Sequence, residues 1–234
     1  MKKYITIAAL LAAGTAFANA ETVFLDSAIT NTSTGDIASV WAIADGKQKE
    51  ASAVDGISAF DRLASSSIEF PTQSFKLSDL YNYGAIASFG DAVVLDTFSI
   101  LGHDNKSGDN KSSTNFKMKL TGTLDGVTVE YVSASLDNDT DWSQGSYGAR
   151  VFSFENAKLD VDSEITVSIE QTGFGFACVQ AASGYTLNAD AFGTTQWVPV
   201  YRAAISPVPE PSAFGLLAGL GALALVASRR RRSR

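Results

Sequence analysis

The sequence predicts an all-β domain between two hydrophobic chain ends. Several segments alternate apolar and polar residues with a period of two, which is typical of strands that have one buried and one solvated face. These segments are short and are separated by turns rich in Gly, Asn, Asp and Ser. One Asp-Gly pair lies between two of them, as in a two-residue β-hairpin. Together the three observations predict an antiparallel β-sandwich of jelly-roll type.

The N-terminal segment, residues 1–20, predicts a signal peptide that precedes this domain. Ala18 and Ala20 have the small side chains that signal peptidase requires, so cleavage would leave Glu21 as the first mature residue. We therefore expect this segment to direct export. The n-region, h-region and cleavage site are Lys2 with Lys3, Tyr4–Phe17, and Ala18-Asn19-Ala20.

The Asp125-Gly126 pair predicts the register of a β-hairpin. A two-residue turn there gives one largely apolar and one mostly polar face, and a slip of one residue would mix the two. The apolar face then pairs Leu124 with Val127, Gly122 with Val129, Leu120 with Tyr131 and Met118 with Ser133. The polar face pairs Thr123 with Thr128, Thr121 with Glu130 and Lys119 with Val132.

The other predicted strands rest on the same kind of pattern. Residues Lys158–Glu170 alternate over their whole length, with a kink or a tight turn at Asp162-Ser163. The pattern is weaker over Ser52–Phe89, where Ser78 would begin a short helix. The remaining strand candidates are Thr22–Ile29, Val40–Ala44, Ala92–Leu101, Arg150–Phe154, Phe174–Val179 and Trp197–Ile205.

Charge and cysteine content limit what the domain can do. Between residues 21 and 207 the sequence has 11 Lys and Arg against 24 Asp and Glu, a net charge of about −13. Such a charge argues against nucleic acid as a partner, because phosphate contacts need clustered Lys and Arg. Cys178 is the only cysteine, so no intramolecular disulfide can form, and its apolar neighbours in sequence predict a buried thiol.

The C-terminus has three parts that differ from the domain. Pro209, Glu210 and Pro211 are followed by an uncharged stretch, Ala213–Ala227. As a helix this stretch would span about 22 Å, which is short for a hydrocarbon core of about 30 Å but adequate for a transient anchor. Arginines do not readily cross a membrane, so the cluster that follows would retain the C-terminus on the cytoplasmic side. It consists of Arg229, Arg230, Arg231, Arg232 and Arg234.

Residues Val208–Arg234 resemble the PEP-CTERM sorting signal of exopolysaccharide-producing Gram-negative bacteria. Pro209, Glu210 and Pro211 match its motif directly, and the apolar span and arginine cluster follow in the same order. The resemblance implies recognition by an exosortase, a membrane-embedded peptidase, with removal of the tail. It implies an inner-membrane-anchored precursor and then a location at the cell surface or in the extracellular matrix. The expected organisation is a signal peptide at 1–20, an exported domain at 21–207 and a sorting signal at 208–234.

One acidic loop is a candidate metal site. Asp137, Asp139 and Asp141 have the one-three-five spacing of calcium loops, and calcium takes six to eight oxygen ligands. Trp142 stands where an EF-hand needs glycine, and Gly148 where it needs glutamate, so an EF-hand is excluded. Two interpretations stay open, another kind of calcium loop and the simpler one, an acidic, solvated turn.

Aromatic residues beside that loop are candidates for carbohydrate binding. Trp142 and Tyr147 could stack on sugar rings, whereas Trp41 and Trp197 lie in apolar segments that predict core positions. His103 is the only histidine, which excludes a multi-histidine zinc site, and its polar loop predicts a solvated side chain.

No motif predicts catalysis, so we expect a non-enzymatic protein of the cell surface or of an exopolysaccharide matrix, the setting that the resemblance implies. A carbohydrate-binding module is the alternative, and a secreted hydrolase is the third interpretation. The predicted partners are signal peptidase, exosortase, polysaccharide and, before processing, the membrane. No cofactor is predicted apart from calcium.

Overall fold

The computed structural model of the chain describes residues 21–42, 56–63, 69–103, 116–136, 147–192 and 196–208. Residues Glu21–Pro207 form one compact unit. Its described part is mostly β-strand with antiparallel pairing, which confirms the all-β class. The strands are β1 (Val23–Asp26), β2 (Ala28–Asn31), β3 (Ile37–Ser39), β4 (Ile57–Leu63), β5 (Gln73–Lys76), β6 (Ala92–His103), β7 (Met118–Leu124), β8 (Val127–Val132), β9 (Tyr147–Asp160), β10 (Glu164–Ile169), β11 (Phe176–Ala181), β12 (Tyr185–Leu187), β13 (Val198–Pro199) and β14 (Tyr201–Pro207).

These strands are arranged in three sheets. In a seven-stranded sheet the neighbours run β1–β14–β6–β11–β13, with β9 beside β6 and β4 beside β11. A four-stranded sheet has the order β5–β10–β7–β8, and a three-stranded sheet has the order β12–β2–β3. The first and last described strands, β1 and β14, are therefore neighbours in the largest sheet.

The main core takes side chains from both larger sheets. Phe98, Phe152 and Tyr201 come from the seven-stranded sheet, and Leu120 and Val167 from the four-stranded sheet. All five are fully buried and belong to one cluster. Removing this apolar surface from water supplies the main driving force for folding, at roughly 25 cal/mol per Å².

A smaller cluster lies on the opposite face of the seven-stranded sheet. Successive residues of β11 alternate between the two clusters: Cys178 belongs to the main core, whereas Ala177 and Val179 belong to the smaller one. Trp41 also lies in the smaller cluster, which confirms its predicted core position, and the partly buried Trp197 packs against the main core.

The β7–β8 hairpin has the predicted register. Six of the seven predicted pairs are strand partners, and at the seventh the Ser133 amide donates to the Met118 carbonyl at 2.9 Å. Asp125 and Gly126 have φ angles of 52° and 72°, as a type I′ turn requires. The predicted apolar face is the buried one on β7. Turn chemistry and alternation together therefore fix this element.

The hairpin turn is held by a carboxylate at the end of β9. Asp160 accepts hydrogen bonds from the backbone amides of Asp125 at 2.8 Å and Gly126 at 3.1 Å. The bonds from Gly126 and Asp125 lower the pKa of Asp160 below its ordinary 3.8. Because the folded pKa is the lower one, the stabilisation is present above the ordinary pKa and is lost as the pH falls through the folded value.

The segment Lys158–Glu170 is not one strand. β9 ends at Asp160, a turn follows at Val161-Asp162, and β10 begins at Glu164. Of the two predicted alternatives the tight turn is found, one residue earlier than expected. β9 pairs with β6 in the seven-stranded sheet, whereas β10 pairs with β5 and β7 in the four-stranded sheet, so the turn carries the chain from one sheet to the other.

Other sequence predictions need correction. Residues 40–42, predicted to begin a strand, are helical, and the rest of that predicted strand, Ile43 and Ala44, lies outside the described residues. The weak region Ser52–Phe89 contains β4 and β5, which the sequence did not predict. The helix expected near Ser78 is found as two short 3₁₀ helices, Leu77–Asp79 and Tyr83–Ile86.

Cys178 is fully buried on β11, as predicted. Its sulfur lies 3.6 Å from the Asp61 carbonyl oxygen. Burial, and to a smaller extent the charge of Asp61, raises the pKa of the thiol to about 12. The thiol is therefore protonated and unreactive at neutral pH in the folded domain.

Candidate functional site

Most of the residues predicted to be functional lie outside the described part of the chain. Tyr147 begins β9 and His103 ends β6, but their side chains are among those not described. The residues outside are Ala18 and Ala20, Asp137, Asp139, Asp141 and Trp142, Pro209, Glu210 and Pro211, and Arg229, Arg230, Arg231 and Arg232.

The described ranges contain neither a metal centre nor a membrane span. Within them, no three His, Cys, Asp or Glu side chains come together in a way that could hold a metal ion. No helix in the same ranges is long and apolar enough to cross a bilayer. The predicted apolar span, Ala213–Ala227, lies outside them.

Beside the smaller cluster, the same face of the seven-stranded sheet has two rows in which polar residues and one aromatic residue stand among small and apolar ones. Strand register aligns Asp26, Arg202, Ser99 and Val151 in one row across β1, β14, β6 and β9. Side chains directly opposite each other in antiparallel strands lie on the same face. A second row, two residues along the strands, contains Phe24, Ala204, Thr97 and Ser153. We call these two rows the outer face.

Arg202 is the centre of the outer face. Its Nε lies 2.5 Å from Asp26 Oδ1 and its Nη2 lies 3.1 Å from Asp26 Oδ2, so the pair is bidentate. The Ser39 hydroxyl donates to the same carboxylate at 2.5 Å. The guanidinium carbon lies 4.9 Å from the centroid of the Trp41 ring and 5.2 Å from that of Phe24. Charge and ring contacts thus hold this side chain in one position.

Two exposed aromatic residues flank this arrangement at the edge of β1. Phe24 is 52% exposed and Tyr81 is 40% exposed. Tyr81 forms an isolated antiparallel bridge with Asp26, which places its side chain on the outer face, and Asn82 Nδ2 donates to the Phe24 carbonyl at 3.2 Å. The segment that carries Tyr81 is thereby fixed along β1.

The outer face offers both apolar ring area and hydroxyl groups at the surface. Rings that stay exposed offer apolar area for stacking, and Thr97 and Ser153 offer hydroxyl groups on the neighbouring strands. Among its described members, the hydroxyl–carboxylate hydrogen bond from Ser39 to Asp26 joins two buried side chains. Its exposed groups are of the kinds that contact ligands by stacking and by hydrogen bonding.

Two polar atoms on the core side have no hydrogen-bond partner within the described residues, Gln73 Oε1 and Tyr201 Oη. Both side chains are fully buried. Burial, followed by the charges of Asp190 and Asp79, raises the pKa of the Tyr201 phenol, so it stays neutral. These atoms lie in the interior and do not extend the outer face.

Comparison with known families concerns the segment that follows β14. Residues 207–232 match the family model of the PEP-CTERM protein-sorting motif. The chain carries a PEP-CTERM sorting motif. This match confirms the predicted resemblance, and the motif implies an exported protein that is membrane-anchored before an exosortase processes it. Neither the curated proteins nor the solved structures include a significant match to the chain.

Sequence reasoning did not find the outer face. Phe24 lies in an ordinary apolar run, and Tyr81 lies in the segment with the weakest pattern. Asp26 and Arg202 are 176 residues apart in sequence. The one available signal was a charged residue inside each of two apolar strands, since a charge there needs a partner when it is buried.

Proposed function

We propose that this PEP-CTERM protein is a non-enzymatic component of the cell surface or of an exopolysaccharide matrix, delivered there through its sorting signal. The observation that carries the proposal is the motif at residues 207–232, which begins at the last residue of β14. Removal of the signal peptide at residues 1–20 by signal peptidase belongs to the same proposal. So does the sandwich of jelly-roll type, which the shared core of the two larger sheets supports.

Deleting Val208–Arg234 should divert the exported domain from its normal destination without unfolding it. The reason is that the described fold ends at β14, whereas the anchor and the motif lie in the deleted segment. Cell fractionation followed by mass measurement of the domain from each fraction tests this. We expect the truncated protein in the soluble periplasmic or medium fraction, with no exosortase-dependent change in mass.

A matched variant separates the motif from the anchor. Replacing Pro209, Glu210 and Pro211 by alanine keeps the apolar span and the arginines, so this precursor should stay in the membrane fraction at its unprocessed mass. Identical distribution and identical processed mass for the wild type and both variants would contradict the proposed sorting.

Carbohydrate binding is a second candidate function, and the exposed rings of the outer face favour it. Phe24 and Tyr81 provide stacking area beside a guanidinium that ring contacts and a carboxylate fix in place. Trp142 and Tyr147 remain the residues predicted from sequence for the same function. Calcium binding by the acidic loop that precedes Trp142 likewise stays a prediction.

Phe24→Leu and Tyr81→Ala should each weaken binding to the host's own exopolysaccharide about tenfold, which is roughly 1.4 kcal/mol. Leucine retains an apolar contact with Arg202 but removes the ring, so the melting temperature should change by only a few degrees. Affinity electrophoresis or calorimetry measures the binding. Val132→Ala, at an exposed valine on β8, is the matched control and should bind as the wild type does. Unchanged binding in both aromatic variants, with a loss in Trp142→Ala, would place the site on the loop instead.

A further inference from the structure

The strand that leads into the sorting motif is an interior strand. β14 pairs with β1 on one side and with β6 on the other. Ile205, three residues before the described chain ends at Val208, is fully buried and is paired with Val23 and with Leu95. Neither edge of β14 is therefore available to another chain over these residues.

The pairing continues on one side almost to Pro209, the first residue of Pro209-Glu210-Pro211. Ser206 pairs with Val94 and Pro207 with Val93, both on β6, whereas the β1 ladder ends at the pair of Val23 with Ile205. Only Val208 separates this sheet residue from Pro209. At about 3.3–3.6 Å per residue, the chain from Pro207 to Pro209 can span no more than about 8 Å.

A peptidase usually holds its substrate as an extended segment whose backbone pairs with the enzyme over several residues. A segment of several residues that ends at this motif would include Ile205, which is paired with strands on both sides, and Ser206 and Pro207, which are paired with β6 only. The folded sheet and the enzyme thus compete for the same backbone groups, since each N–H and C=O group makes its main hydrogen bonds with one partner strand at a time.

We propose that the exosortase acts on precursors in which the end of β14, Ile205–Pro207, has separated from β6 and β1, so that the stability of this strand end sets the rate of processing. The inference rests on the proposed function, because it assumes exosortase processing of this chain. Ser206 and Pro207 separate readily, since β6 alone holds them and proline has no N–H to donate. Ile205 separates rarely, because its side chain leaves the core.

A disulfide between Ser206→Cys and Val94→Cys tests this inference. The two residues are strand partners, and their side chains lie on the face opposite the core residues Val93 and Leu95. Directly opposite residues have Cα atoms about 4.5–5.5 Å apart, which is within the range that a disulfide spans. Cys178 does not compete, since its thiol is buried. We expect the processed fraction of the full-length precursor to fall at least fivefold when the bridge is formed, and to recover when it is reduced.

Two further variants serve as controls. A bridge between Thr123→Cys and Thr128→Cys joins a strand pair of the same kind in the β7–β8 hairpin, away from β14, and should leave processing unchanged. Inserting six Gly and Ser residues after Pro207 in the bridged protein gives the enzyme an extended segment outside the sheet, and processing should return to the wild-type level.

The outcomes separate this inference from the proposed function. A bridged precursor without the insert that is processed as fast as the wild type overturns the inference. So does a bridged precursor that the insert does not rescue. A wild-type precursor whose mass is the same with and without exosortase contradicts the proposed function itself.

Discussion

Replacing Asp26 by alanine is expected to lower the free energy of unfolding by about 3 kcal/mol. Asp26 is 5% exposed and accepts two hydrogen bonds from the Arg202 guanidinium and one from the Ser39 hydroxyl. Without the carboxylate, the guanidinium loses its partner at a site where its side chain is only 28% exposed. Urea unfolding followed by fluorescence measures the loss.

Two comparisons test whether the lost stability comes from the uncompensated charge. Asp26→Ala combined with Arg202→Met should be more stable than Asp26→Ala alone, because methionine leaves no buried charge and retains an apolar contact with the Trp41 ring. The exposed pair of Lys119 and Glu130, 2.7 Å apart on the β7–β8 hairpin, is the matched control. Glu130→Ala should change stability little, and an Asp26→Ala effect no larger than this would contradict the prediction.

This ion pair joins the two ends of the described fold. Asp26 lies on β1 and Arg202 on β14, which are neighbours in the sheet although they come first and last in sequence. The last strand can pair only after the whole domain has been synthesised, because it inserts between β1 and β6. Completion of the fold and presentation of the sorting motif therefore involve the same strand.

Elements that depend on local chemistry were predictable from sequence. The register of the β7–β8 hairpin follows from the αL preference of Asp125-Gly126 and from the alternation of its flanking residues. The sorting motif was predictable for a related reason. It is a linear segment, so its residues can be recognised from their order and spacing in the sequence, without knowledge of the fold. The burial of Cys178 and Trp41 followed from their apolar neighbours in sequence.

Elements that depend on distant partners were not predictable. The segment Lys158–Glu170 alternates across a turn because β9 and β10 lie in different sheets and both direct apolar side chains into the main core. The alternation of apolar and polar residues indicates which side chains face the core. It does not indicate where the chain passes from one sheet to the other. The outer face was not predictable for the same reason, because it depends on residues that are distant in sequence. Strand pairing across the domain brings Arg202 between Phe24 and Trp41.

Gly122→Ala is expected to destabilise the domain by about 1–3 kcal/mol through overpacking. Gly122 lies on the buried face of β7, and a Cβ atom there would lie 2.6 Å from Leu159 Cδ2 and 2.9 Å from Ser163 Oγ. Neither neighbour can move easily. Leu159 is fully buried, and Ser163 Oγ accepts a hydrogen bond from the Thr123 amide at 2.7 Å. Thermal unfolding of the purified domain measures the change.

Gly84→Ala is the matched control, because it adds the same methyl group where no atom lies within 4 Å. Gly84 lies in the 3₁₀ helix Tyr83–Ile86 and its φ is not positive, so alanine fits the backbone and restricts the unfolded chain. We expect this variant to be as stable as the wild type or slightly more stable. Equal melting temperatures for the two variants would mean that β7 can move away from the β9–β10 turn. In that case the close approach of the two sheets at Gly122 would not be needed for stability.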